Sequence, residues 1–231
     1  MEIKALITQS NYIPWKGFFD SMSQVDIVVL YDDMQFTRRD WRNRNLIITP
    51  QGLKWLTIPV IVKGKYFQKI NETIISDKNW NVDHLNILKQ NYRNSECYND
   101  VKDWVEDLYL NCNFNYLTEI NQYFIEKINQ YLDINVKIIR SEQFVLAEDK
   151  TERLVNICKD LNVTDYFSGP AAKVYMNEDL FVNQEIKIHY FDYQGYPEYK
   201  QLNNEFEHGV SILDVIFNNG QSSKELIKKL F

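Results

Sequence analysis

The stretch Ile3-Lys4-Ala5-Leu6-Ile7-Thr8, followed by Gln9 to Gly17, Phe18 to Gln24 and Ile27-Val28-Val29-Leu30-Tyr31, decides the reading of the fold. Ile3 to Thr8 is an apolar run of strand length, and the loop after it carries the breakers Asn11, Pro14 and Gly17. Phe18 to Gln24 suits a short helix, and Ile27 to Tyr31 is a second strand, apolar without alternation. Such a strand is expected where both faces of a sheet are covered. Strand, loop, helix and strand within about thirty residues is the spacing of a βαβ unit with parallel strands. Open parallel sheets bind ligands beyond the carboxyl ends of their strands. Gln9-Ser10-Asn11-Tyr12 and Asp32-Asp33 fall at two such ends.

Outward from this unit, β-branched residues in Asn45 to Thr49 and Lys54 to Val62 flank Pro50-Gln51-Gly52, which predicts an added hairpin. From Asn79 to Leu132 the apolar period becomes helical, with Val82, Leu85 and Leu88 on one face and Val101, Trp104, Val105 and Leu108 on another. Val136 to Arg140 reads as a strand, Thr151 to Leu161 as an amphipathic helix, and Asp165 to Ser168 and Ile186 to Tyr193 as further strands. Helices near 209 to 218 and 222 to 230 close the chain. The expectation is one α/β domain over residues 1–231: a parallel-sheet core with a β-hairpin addition and a helical insertion around 79–132.

Composition narrows the function classes. The 231 residues are 45% hydrophobic and 25% charged, with seven glycines and five prolines, as in an ordinary globular protein. A net charge of -6 argues against a DNA binder and leaves room for one local anion site. Cys97, Cys112 and Cys158 are odd in number and form no CxxC pair, so neither a zinc site nor a disulfide framework is expected. Met1 to Thr8 is too short for a signal peptide, and no run approaches a membrane span. A reducing cytoplasm is the expected location, with no membrane insertion.

Charge is nonetheless concentrated. Four of the seven arginines lie within Arg38 to Arg44, inside a run that opens with Asp32-Asp33 and carries Gln35, Trp41, Asn43 and Asn45. The planar guanidinium fork reads carboxylate or phosphate oxygens two at a time, which marks an anion site. Arg39 and Arg42 are the leading ligand contacts, since a helix over 37–45 would let Asp40 divert another arginine to structure. The alternative is a strand end with solvated arginines. Ser168-Gly169-Pro170-Ala171-Ala172-Lys173 follows another strand and offers backbone amides and the Lys173 charge, or else an ordinary turn. It lacks P-loop spacing.

Other candidates are more open. His84 shares a helix face with Leu88 and reads as packed or surface-exposed; His189 reads as structural; His208, just before Gly209, has a possible site role. Lys63-Gly64-Lys65 with Lys69 reads as a solvated loop tip, with phosphate contact as the alternative. Tyr190, Tyr193, Tyr196 and Tyr199 form either a stacking wall for a ligand ring or a Tyr-rich edge strand and turn. No GxSxG motif supports a hydrolase triad, and no metal-ligand set is assigned.

Three blocks taken in order, Gln9-Ser10-Asn11-Tyr12-Ile13-Pro14-Trp15-Lys16-Gly17-Phe18-Phe19, Asp32-Asp33-Met34-Gln35-Phe36 and Trp41-Arg42-Asn43-Arg44-Asn45, resemble the WbqC-like family of bacteria. Ser168-Gly169-Pro170-Ala171 and the segment Gly209 to Asn218 agree with it. Ser21 departs from the lysine that members often carry there. The resemblance implies a step in O-antigen or other surface-polysaccharide biosynthesis, with an acyl or aminoacyl group such as glycine attached through an amide to a nucleotide-linked amino sugar. It brings no assigned catalytic residues. Arginine forks suit the sugar nucleotide's diphosphate, and Asp33, Asp32 or His84 would take the amine's proton. Expected substrate contacts are Asn11, Tyr12, Trp15, Gln35, Arg39, Trp41, Arg42, Asn43, Arg44, Asn45, Ser168, Gly169 and Lys173. The acyl donor stays open among aminoacyl-tRNA, an acyl thioester, and ATP with Mg²⁺. The opening strand order also looks like that of nucleotidyltransferase-type domains, but Trp15-Lys16-Gly17-Phe18 stands where their histidine-x-glycine-histidine loop would be. Alternatives are a glycosyltransferase or nucleotidyltransferase with Mg²⁺ on Asp32 and Asp33, and a non-catalytic sugar-nucleotide binder. The sugar, the donor and the oligomeric state stay open.

Overall fold

A computed structural model describes residues 2–203 and 205–227. Strand β1 (Lys4–Thr8), helix α1 (Lys16–Ser23) and strand β2 (Ile27–Leu30) form the expected parallel unit, with Ala5 opposite Ile27 and Thr8 opposite Leu30. The hairpin is β3 (Arg44–Thr49) and β4 (Gly52–Thr57). Three helices follow, α2 (Trp80–Tyr92), α3 (Tyr98–Leu110) and α4 (Leu117–Tyr131), before β5 (Lys137–Arg140). Next come α5 (Lys150–Asp160), β6 (Asp165–Ser168), α6 (Asp179–Val182), β7 (Lys187–Tyr190), α7 (Ile212–Asn219) and α8 (Ser223–Leu226). The expected tail of the last helix at 228–230 lies outside the described residues.

Five parallel strands make one sheet in the order β5-β2-β1-β6-β7, with the β3–β4 hairpin separate. Alternation along each strand serves two layers. Leu6, Val28 and Leu30 face a core built with Phe19 of α1, Leu88 of α2, Phe124 of α4 and Ile216 of α7. Ala5, Ile7 and Val29 face the other side, where Ile157 and Cys158 of α5 and Phe181 of α6 cover them. Burial on both faces is why β2 reads as unbroken apolar sequence. The hydrogen bond between His189 Nε2 and Asp165 Oδ1, at 2.7 Å, ties neighbouring strands β7 and β6, a structural role for His189.

Two expectations need correction. Residues 37–43 are turns rather than helix, and Arg44 already belongs to β3. Asp40 therefore meets Arg42 across a turn, 3.8 Å from its Nε, and not one helical turn away. The tyrosine-rich segment is neither strand nor tight turn beyond Tyr190. Residues 191–203 and 205–210 run as an irregular strap, pinned by Tyr196 to Asp20 (2.6 Å) and by Tyr199 to Asp214 (2.6 Å). Lys16 is buried beneath this strap. It donates to the Pro197 carbonyl at 2.6 Å, faces the rings of Tyr196, Tyr199 and Phe206, and is pushed down by burial to a pKa of about 8.

The three cysteines are free thiols. No helix among the described residues is long and apolar enough to cross a membrane.

Candidate functional site

The strand order reverses at β1, whose neighbours β2 and β6 lie on opposite sides. The chain leaves β1 and β6 in different directions, and a crevice opens beyond their carboxyl ends, where ligands of such sheets bind. It encloses about 620 Å³. Thr8, Gln9, Ser168 and Gly169 form its floor at the strand ends. Arg42, Lys150 and Arg153 bring three cationic side chains to its wall, and no carboxylate among the described residues lines it. That one-sided charge suits an anion.

Arg42 is mostly buried, with 18% of its side chain exposed. Burial pushes its pKa down, while the nearby carboxylates of Asp40 and Asp32 work against that shift. One guanidinium nitrogen donates to Asn11 Oδ1, and the Arg42 carbonyl accepts from Asn121 Nδ2 at 2.9 Å. A fork with five N–H donors keeps donors to spare for a ligand. The loop after β1 is held against this segment by the Tyr12 N–H, which donates to the Trp41 carbonyl at 3.1 Å.

Behind Arg42 lies a second cavity of about 340 Å³, lined by Asn11, Trp15, Trp41, Asn45 and His208. The wall between the two is thin. Arg42 faces the crevice and its partner Asn11 faces the smaller cavity, while Trp15 of the smaller cavity touches Tyr193 of the crevice at 5.4 Å between ring centroids. Trp15 lies folded over Gly17, and a Cβ at Gly17 would collide with the indole. Ile13 sits in the left-handed region at φ 37°, a strained conformation for a β-branched residue. Asn45 holds that strain by donating to the carbonyls of Tyr12 and Ile13 at 3.1 and 2.9 Å. His208 stands at the rim, pushed down in pKa by partial burial and by the Lys16 charge.

The two cavities thus gather Asn11, Trp15, Trp41, Arg42, Asn45, Ser168 and Gly169 from the expected contacts. The other expected residues are placed elsewhere. Asp32 is buried and accepts the Ser10 N–H (2.8 Å), the Ser10 hydroxyl (2.7 Å) and the Thr118 hydroxyl (2.5 Å). Burial raises its pKa and these hydrogen bonds oppose the rise. Asp33 accepts from Ser141 Oγ at 2.7 Å and from Lys69 and Asn71 at 3.3 Å each. Neither carboxylate lines a cavity. The two face separate partners, and no cluster of three or more His, Cys, Asp or Glu suited to a metal occurs among the described residues.

His84 is likewise internal. Its Nε2 lies 3.2 Å from the Thr57 carbonyl, which only accepts, so Nε2 carries the proton and Nδ1 accepts from the Tyr12 hydroxyl at 2.8 Å. Tyr109 then donates to Tyr12, also at 2.8 Å. Burial brings His84 down to a pKa of about 4. Both ring nitrogens of His84 and the Tyr12 hydroxyl are thus engaged with partners in the core, and neither residue lines either cavity. Arg39 takes a left-handed φ of 58° with an exposed side chain. Arg44 donates to the Arg39 carbonyl and stacks on Trp55 at 3.9 Å. Gln35 donates to the Tyr66 carbonyl at 2.9 Å and Asn43 to that of Ile58 at 2.8 Å. Lys173 lies over the Tyr190 ring at 4.7 Å, outside both cavities.

Lys150 and Arg153 are the residues that sequence reading missed. They sit in the first turn of α5, and nothing local to that helix says that it starts over the crevice. Ser21 also lines the crevice, bonded to Tyr193 Oη at 3.3 Å. A longer cationic side chain at this position would reach the same space.

The chain is 44% identical over 225 residues to an uncharacterized protein of Mycobacterium tuberculosis, Rv1507c, covering 97% of each chain. No solved structure matches. The model of the WbqC-like protein family matches residues 9–226, which carry most of the lining of both cavities, and the chain belongs to the WbqC-like protein family.

Proposed function

We propose that this protein forms an amide on the amino group of a nucleotide-linked amino sugar, using an activated acyl or aminoacyl donor, in the making of a bacterial surface polysaccharide. The observation that carries this reading is the pair of cavities parted by the Arg42–Asn11 hydrogen bond: a cation-lined crevice beside an aromatic and amide-lined one. The diphosphate lies in the crevice against Arg42, Lys150 and Arg153. The sugar reaches past Arg42 toward Trp15 and Trp41, whose faces suit the apolar side of a pyranose.

The amine nitrogen attacks the carbonyl carbon of the donor. A C–N bond forms, and the bond from that carbon to its leaving oxygen or sulfur breaks. His208 replaces Asp33, Asp32 and His84 as the base. Its lowered pKa keeps the imidazole neutral near pH 7, so it accepts the proton shed by the amine and returns it to the leaving group. The donor is an aminoacyl-tRNA, an acyl thioester, or an acyl group activated by ATP with Mg²⁺.

The deciding experiment incubates the protein with nucleotide-linked 3-amino and 4-amino sugars and each donor in turn, then weighs the products. A mass gain equal to one acyl group on the sugar supports the reading. Transfer of the sugar or of a nucleotidyl group identifies a glycosyl- or nucleotidyltransferase. Binding without turnover over any donor identifies a sugar-nucleotide binder.

A further inference from the structure

We propose that the sheet edge on which the crevice opens docks on an anionic lipid surface. The six most exposed large apolar side chains among the described residues run from Tyr175 at 65% to Val145 and Val174 at 91%. Five of them sit at the carboxyl ends of the strands, Tyr66, Phe67, Val145 and Tyr175 on loops and Val174 at the end of a short 3-10 helix (Pro170–Val174). Val145 follows β5, and Val174 and Tyr175 follow β6. The loop bearing Tyr66 and Phe67 is pinned to the segment after β2: Phe36 N–H donates to Gln68, Ile70 N–H to Met34 and Asn71 N–H to Asp32. Asp33 links the same loop, through Lys69, to Ser141 at the start of the Val145 loop. Only Val182 lies elsewhere, in α6 ahead of the amino end of β7.

The charge on this loop matches the occupant. Lys63-Gly64-Lys65-Tyr66-Phe67-Gln68-Lys69 carries three cations and no acid in a chain of net charge -6; Lys69 is paired with Asp33 at 3.3 Å, which leaves Lys63 and Lys65 beside the rings. Aromatic rings with lysines beside them are the composition of an interfacial anchor, the rings at the acyl boundary and the cations at anionic headgroups. Exposed Val145 and Val174 add nothing to base stacking but do enter an apolar boundary, which favours lipid over nucleic acid. Tyr175 and Lys150 line the crevice mouth itself, so docking would present the crevice toward headgroup level. This inference does not depend on the amide chemistry and is read without turnover.

The test is co-sedimentation of the full chain with phosphatidylcholine vesicles, with and without phosphatidylglycerol, at low and high salt. The expected result is binding to the anionic vesicles that weakens with salt. Joint Tyr66→Ser and Phe67→Ser substitution is expected to weaken it about tenfold, and joint Lys63→Ser and Lys65→Ser about as much, each with unchanged melting. Val182→Ser is expected to leave it unchanged. A protein that stays in the supernatant, loop variants that bind as wild type, or equal loss in Val182→Ser would overturn the proposal. So would binding to a transfer RNA pool that depends on the same loop while vesicles bind nothing.

Discussion

Two polar clusters meet at Asn121, whose side-chain amide donates both to Ser10 Oγ and to the Arg42 carbonyl, each at 2.9 Å. On one side is the crevice, where Arg42, Lys150 and Arg153 bring cations to a wall that no carboxylate among the described residues lines, Asp40 meeting Arg42 from outside it at 3.8 Å. On the other is a closed knot, where Asp32 spends its oxygens on Ser10 and Thr118, and His84 spends both ring nitrogens on Tyr12 and Thr57. Arg42 keeps donors to spare, whereas both Asp32 oxygens and both His84 ring nitrogens are engaged. A charged side chain at a strand end can therefore serve either to meet a ligand or to fix the loops that do, and only its partners tell which.

Substitutions in the knot test this division through stability. Asp32→Ala strands the Ser10 N–H and two hydroxyls in the interior and is expected to cost about 3–5 kcal/mol in thermal or urea unfolding. A loss below about 1 kcal/mol would mean that Asp32 is not a structural tie. His84 gives a pH signature. Its folded pKa of about 4 lies below the unfolded value of 6.5, so the folded state binds fewer protons in between. The stability it contributes is fully present above 6.5 and is lost as pH falls through about 4, an effect of roughly 3 kcal/mol. His84→Gln is expected to flatten that slope; an unchanged slope would assign it to another group.

His208 sharpens the comparison from the cavity side. His208→Gln is expected to lower turnover about a hundredfold with little change in KM or melting temperature. A variant that loses binding and not turnover would make His208 a contact residue instead.

Much of the layout could be read in advance, for identifiable reasons. Unbroken apolar sequence at Ile27 to Leu30 reported a strand buried on both faces, and the strand ends pointed to Gln9, which lines the crevice, and to Asp32-Asp33, which do not. Arg42 was legible because arginine clusters there, but the cluster is divided by a turn that sends Arg44 into β3 and onto Trp55. Asp32-Asp33 looked like a reactive pair because adjacency in sequence hides that their oxygens face separate partners. Long-range meetings were beyond reach: Tyr12 finds His84 across 72 residues, and α5 carries Lys150 and Arg153 to the crevice through the packing of the sheet.

The placement of the anion site on Arg42, and not at the Asp32-Asp33 strand end, is tested most directly by calorimetric titration of a nucleoside diphosphate into wild type, Arg42→Lys and Asp33→Asn. Lysine keeps the charge but loses the fork, so Arg42→Lys is expected to bind about tenfold more weakly, near 1.4 kcal/mol, while Asp33→Asn binds as wild type does. Equal affinity in Arg42→Lys, or a loss confined to Asp33→Asn, would contradict the placement of the anion site on the arginine.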